Sequence, residues 1–227
     1  MLNTAIDLTD YRKVFKEKGY VRIENILEPS YADDLESAFK NGVEWDLCYL
    51  TDSGPASIPQ AEYRSFDQTQ AAALNSAILR QAQNGFAYFY YRSDLINSRN
   101  ETLAAFYRSL CTDQWLGAFR YVTDEPTIRT VNGQVACYRP ACFLKRHQDI
   151  TDKETRIAAY VFGFTRHWDP DWGGHLHVLD RNLKILDVFE PSFNTLTIFR
   201  VPRIHLVSQV SNYARGERYT ATGWMLG

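Results

Sequence analysis

The chain lacks a long apolar run: no segment approaches the ~18 residues of a membrane-spanning helix. Its start, Met1-Leu2-Asn3-Thr4-Ala5-Ile6-Asp7, shows no basic opening followed by an apolar stretch. Both absences predict a cytoplasmic protein with no membrane partner. An excess of one charge is lacking too, since 25 Lys and Arg stand against 27 Asp and Glu for a net charge of -2. There is then no whole-chain basic field of the kind that draws in nucleic acid, and no nucleic-acid partner is expected. Cysteine is sparse and unpatterned. Cys48, Cys111, Cys137 and Cys142 show no Cys-x-x-Cys spacing, which reads as buried free thiols rather than a disulfide frame or a zinc site. No repeat or low-complexity tract interrupts the 227 residues, a length that suits one domain with a full core. Nothing in the sequence speaks to oligomeric state.

Aromatic residues, by contrast, are plentiful (14 Tyr, 13 Phe and 5 Trp), as a β-rich core requires. The spacing of Leu8, Tyr11, Val14 and Phe15 predicts a helix over 7–18 that stops at Gly19. Tyr20 to Ile26 alternates as a half-buried strand. A helix opens at Pro29-Ser30, with Ser30 as its cap and Asp33 three residues on. A strand near Trp45 to Tyr49 precedes Leu50 to Gln68, which reads as a long loop and a candidate lid. Next come a helix over 69–83, a strand over 86–91 and a helix over 100–110. From residue 127 the chain becomes short strands. Asn132-Gly133 reads as the turn of a hairpin between 127–131 and 134–138, and further strands are expected at 157–164, 175–180, 184–189, 195–199, 204–210 and 217–225. The fold class is mainly β with supporting helices (α+β): a jelly roll, or double-stranded β-helix, over 127–227, with the helices of 1–126 packed on one of its sheets.

Within Lys145-Arg146-His147-Gln148-Asp149, extended backbone points His147 and Asp149 the same way, and His205 lies in a later strand-like segment that a rolled sheet can bring alongside. Two histidines and a carboxylate form the face that holds Fe(II) while leaving positions open for O2 and a chelating co-substrate. His175-x-His177, after Gly173-Gly174, is the rival pair and would suit a cupin-type metal-binding barrel without oxygenase activity; His167 is a weaker one. In the last strand, alternation places Arg218, Thr220, Thr222 and Trp224 on one face. If that face is interior, the guanidinium of Arg218 needs an anion, and a dicarboxylate would supply it. Arg215, beside Gly216, reads as part of a turn.

With these residues in order, Ala136-Cys137-Tyr138, His147-x-Asp149, Trp168 running into Gly173-Gly174-x-Leu176, His205, and Arg218-Tyr219-x-x-Thr222-x-Trp224, the C-terminal half resembles the Fe(II)/2-oxoglutarate-dependent dioxygenases of the prolyl hydroxylase branch. The resemblance implies His147, Asp149 and His205 as iron ligands and Arg218 as the holder of the far carboxylate of 2-oxoglutarate. It also implies that Tyr138 and Thr222 line the same pocket and that Trp224 packs near the metal. Fe(II), 2-oxoglutarate and O2 are the implied cofactors, with ascorbate as an optional addition. The implied reaction is hydroxylation of an unactivated C–H bond, most simply of a prolyl residue in a protein or peptide. A free amino acid or other small molecule is the alternative substrate. Residues 50–68 and the strip Arg200 to Arg203 are candidate rim contacts. Gly163 departs from the family pattern in Tyr160-Val161-Phe162-Gly163-Phe164, so no co-substrate contact is assigned to Tyr160.

Overall fold

The computed structural model describes residues Met1–Gly227. The apolar stripe before Gly19 becomes helix α1 (Thr9–Lys18), and Gly19 stops it with a left-handed φ of 73°, its N–H bonding the Phe15 carbonyl. Strand β1 (Tyr20–Glu24) follows. Helix α2 spans Pro29–Asn41, but Ser30 does not cap it. Proline occupies the first helical position, where its missing N–H costs nothing, so Ser30 lies inside the helix and Glu28 takes the capping place.

Residues 50–68 are not an open loop. Strand β2 (Asp46–Thr51) turns into β3 (Gly54–Pro59), paired from Asp46↔Pro59 to Thr51↔Gly54, and a short helix α3 (Gln60–Tyr63) closes the segment. Pro55 and Pro59 hid this strand from a reading by composition, since proline is tolerated on a hairpin edge that donates no ladder bond. Helix α4 (Gln68–Asn84) begins in a capping box between Asp67 and Gln70. Strand β4 runs Tyr88–Asp94, two residues later than the aromatic run predicts. Helix α5 (Glu101–Leu110) is followed by α6 (Asp113–Thr123), which the sequence reading missed although Trp115, Leu116, Phe119 and Val122 lie at helical spacing and are buried.

The remaining strands are β5 (Thr130–Tyr138), β6 (Phe143–His147), β7 (Arg156–Phe164), β8 (Leu176–Leu179), β9 (Ile185–Phe189), β10 (Phe193–Arg200), β11 (Ile204–Val207) and β12 (Arg218–Leu226). Asn132-Gly133 is no turn: both residues lie mid-strand in β5, opposite Trp224 and Gly223. A close approach takes the place of the expected hairpin. The Asn132 side chain receives the Trp224 N–H and donates to Glu154, its carbonyl receives the Tyr160 hydroxyl, and that hydroxyl sits where a side chain at Gly133 would go.

Antiparallel neighbours follow the order β1-β10-β7-β12-β5-β4-β6-β11-β8-β9, with β2 and β3 joined beside β4. This sheet rolls until its wings face each other. Phe199 of β10 meets the ring of His205 on β11 at 4.5 Å, and Tyr20 of β1 meets Phe189 of β9 at 6.1 Å. The result is the jelly roll expected from the strand spacing, with β1, β2, β3 and β4 added from the N-terminal part. Outside the β7–β12 wing, Phe162 and Phe164 are covered by Phe39 of α2, Phe106 of α5 and Trp115 of α6, at ring separations of 4.8 to 5.5 Å. Each such burial contributes about 1.5–3 kcal/mol, which is why the helices settle there and the inner face is left for polar work. No helix is long and apolar enough to cross a membrane.

Candidate active site

The cavity between the wings has a volume of about 580 Å³. His147 ends β6, and the ladder sets His205 of β11 directly opposite it, so both imidazoles leave the same face of the sheet. Asp149 follows two residues on. Each histidine is tied by its own neighbourhood: His147 Nδ1 lies 3.0 Å from the Lys145 carbonyl and His205 Nδ1 2.9 Å from the Arg203 carbonyl. A ring whose Nδ1–H donates to a carbonyl presents a lone pair at Nε2, the tautomer that binds metals. Those Nε2 atoms face separate oxygens of one carboxylate, His147 to Asp149 Oδ1 at 3.4 Å and His205 to Asp149 Oδ2 at 3.6 Å.

Burial first, then the neighbouring His147, pushes His205 down to about 4, so it is neutral near pH 7. Burial works to raise the Asp149 carboxyl, but the nearness of the His147 and His205 imidazoles outweighs it and holds the group below its ordinary range. The donor atoms of His147, Asp149 and His205 all lie within 4.8 Å of one another. Lone pairs so gathered repel unless a cation lies among them, and three ligands on one side leave coordination positions open. The donor set therefore fits Fe(II).

Arg218 opens β12 on the inner face and lines the same cavity together with Tyr138, Thr220, Thr222 and Trp224. It is 5% exposed, and neither its Nε nor its Nη1 has a hydrogen-bond partner. Burial pulls its guanidinium down to about 10, which still leaves it charged near neutral pH. An unpaired buried cation costs several kcal/mol, so the position calls for an anion. The Tyr138 ring lies 4.9 Å from the guanidinium, and burial pushes its phenol far up, so its O–H remains a donor. A dicarboxylate with one end at the histidines and the other at Arg218 fits these groups.

The other candidates fall elsewhere. Leu176 and Val207 line the cavity, which turns the alternate residue His177 to the other side of β8, and neither His175 nor His177 joins the donor cluster. His167 and Arg215 are exposed. Tyr160 faces Phe119 of α6 rather than the cavity. Arg200 pairs with Glu125 and Arg203 donates to the Lys18 carbonyl, so that strip is engaged away from the cavity. Pro55, at the tip of the β2–β3 hairpin, does reach its lining. All four cysteines are free, three of them buried. Two contributions went unread in the sequence. Arg156 lies 3.5 Å over the Trp224 ring and donates to the Asp149 carbonyl, bracing both. Phe86, Tyr88 and Tyr90 form an aromatic wall, although the alternation in that run reads equally as sheet packing.

Residues 133–226 match the family model described as the 2OG-Fe(II) oxygenase superfamily, and that span holds all three clustered donors and Arg218. Residues 133–226 are thus those of a 2OG-Fe(II) oxygenase. Its cofactors are accordingly Fe(II) and 2-oxoglutarate, with O2 as oxidant. The oxygenase superimposes on a Pseudomonas putida prolyl-4-hydroxylase with a TM-score of 0.63 at 16% identity, over 97% of this chain and 98% of that one. A Trichoplax adhaerens prolyl hydroxylase, solved with a hypoxia inducible factor oxygen degradation domain peptide fragment, gives 0.62 at 16% identity over 96% and 91%. The alpha ketoglutarate dependent epimerase SnoN from nogalamycin biosynthesis gives 0.59 at 10% over 95% and 80%. At these identities the likeness is one of fold. No curated protein matches the sequence.

Proposed function

We propose that the oxygenase hydroxylates an unactivated C–H bond of a prolyl residue in a protein or peptide. In this reading His147, Asp149 and His205 hold the iron, and Arg218 receives the far carboxylate of 2-oxoglutarate. Tyr138 and Thr222 line the co-substrate end, and Trp224 packs beside the metal. The observation that carries the reading is the pairing, in one cavity, of three clustered lone-pair donors with a buried guanidinium that lacks an anion.

Bound there, Fe(II) and 2-oxoglutarate supply the oxidising chemistry, one oxygen atom of O2 going to the substrate and the other to succinate as CO2 is lost. The protein's own groups bind and orient. The carbonyls of Lys145 and Arg203 keep both Nε2 lone pairs aimed inward, and Arg156 fixes the Asp149 backbone and the Trp224 ring. Arg218 draws the dicarboxylate to one end, leaving the side of Phe86, Tyr88 and Tyr90 for the substrate. No side-chain acid or base is needed.

The prolyl assignment is supported by the fold shared with the two prolyl hydroxylases and by that wall, whose flat apolar faces suit a pyrrolidine ring. The fold shared with the epimerase favours a second reading, a small-molecule substrate. Succinate formation discriminates. Turnover stimulated by a peptide pool and not by free amino acids supports the first reading, and the reverse supports the second.

A further inference from the structure

The inner face of the β1-β10-β7-β12 wing carries a polar strip that continues past Arg218. Register places Arg22 opposite Thr197, Thr197 opposite Val161 and Val161 opposite Thr222, while Thr195, Gly163 and Thr220 form the next row. Thr195, Thr197 and Thr220 are buried. Where the strip ends, Arg22 and Arg218 line one small cell together with Thr165, Ser192, Thr195 and Thr220. Its volume of about 10 Å³ has room for about one water, in surroundings polar enough to hold it. Gly163 keeps the cell open, because a Cβ there would come within 2.5 Å of the Ser192 carbonyl and 2.6 Å of Thr195 Oγ1.

Arg22 is held on three sides. Its Nε donates to Thr197 Oγ1 at 3.1 Å, and its Nη1 donates to the Glu190 carbonyl at 2.8 Å and to Ser192 Oγ at 3.0 Å. Its guanidinium lies 4.6 Å over the Phe189 ring. The carboxylates of Glu24, Asp187 and Glu190 are its acidic neighbours, and it forms an ion pair with none of them. Two guanidinium groups on one enclosed cell repel each other, and an anion at Arg218 relieves both at once.

We propose that Arg22 is a second cationic residue of the co-substrate site, strengthening the hold on the far carboxylate of 2-oxoglutarate through one water in the cell behind Arg218. The inference rests on the reading of Arg218 given above. It assigns a binding role to β1, which lies outside residues 133–226 matched by the family model.

The test titrates two ligands into the anaerobic Fe(II)-loaded protein: 2-oxoglutarate, and 2-oxopentanoate, which has a methyl group in place of the far carboxylate. Binding is read by the visible band of the chelate and by thermal shift. Arg22→Met keeps the stem over Phe189 and removes the charge. It is expected to weaken 2-oxoglutarate by about three- to tenfold, as a near but water-separated charge would, and to leave 2-oxopentanoate unchanged, while Arg22→Lys restores most of the loss. Equal weakening of both ligands, or of neither, overturns the proposal. Wild-type protein that does not prefer 2-oxoglutarate over 2-oxopentanoate sinks the Arg218 reading itself, and this inference with it. Should Arg22→Met fail to fold, Thr195→Val removes a hydroxyl from the cell without changing its shape. The same selective loss then supports the role, and no change overturns it.

Discussion

The two ends of the cavity are unfinished in opposite senses. At the histidine end the protein has gathered lone pairs, each imidazole locked by the carbonyl two residues before it, and what is wanted is a cation. At the Arg218 end it has buried a cation, unpartnered at Nε and Nη1, and what is wanted is an anion. The first end is built where one strand pair, β6 with β11, sets His147 opposite His205 and the chain runs on to Asp149. The second depends on the long-range closure of β1, β10, β7 and β12. A metal dication chelated by a dicarboxylate answers both at once, so occupancy of each end should depend on the other.

Removing either half of this arrangement should give the largest effects. Asp149→Ala takes away the only carboxylate among the three clustered donors, and we expect iron binding and iron-dependent succinate formation both to be lost, read by metal analysis and by turnover. Arg218→Met should raise the Kd for 2-oxoglutarate by about 10- to 100-fold, the scale of a hydrogen-bonded charge. The ligand-free Arg218→Met protein should melt no lower than wild type, because the variant removes an unpaired buried charge rather than a favourable pair. A marked fall in its Tm would mean that Arg218 already has a partner inside the protein.

A third change probes the seam that carries Trp224 and Asn132. Gly133→Ala sets a methyl against the Tyr160 hydroxyl and should cost about 1–3 kcal/mol of stability, as overpacking does, measured by denaturant unfolding. A smaller, pH-dependent effect follows from His205. The unfolded chain takes up this proton near pH 6.5, whereas the folded metal-free protein does so only near 4. Acidification between those values therefore favours unfolding, and stability is lost as pH falls across that window. His205→Asn should make this loss shallower in Tm measured against pH. His177→Ala, outside the donor cluster, should leave iron and 2-oxoglutarate binding unchanged.

Much of this arrangement was legible in the sequence because it follows from period-two alternation. His147 and Asp149 share a face, as do Arg218, Thr220, Thr222 and Trp224, and the cavity lining agrees with both. What escaped was decided by contacts distant in sequence. Asn132-Gly133 is a strong local turn signal overridden by its partners Gly223, Trp224 and Tyr160, which become neighbours only when the roll closes. The two prolines masked β3, and Ser30 lost the capping place to Glu28 because Pro29 takes the first helical position. Arg22 looks like an ordinary charge on a half-buried strand, and only the pairing of β1 with β10 turns it inward.

Anaerobic titration of the Fe(II)-loaded protein with 2-oxoglutarate, following the weak visible charge-transfer band of the chelate, reads both ends of the cavity in one experiment. The band should form in wild type and in His177→Ala and be absent in His147→Ala. A band that survives His147→Ala and disappears in His177→Ala would place the metal at the other histidine pair and contradict the account.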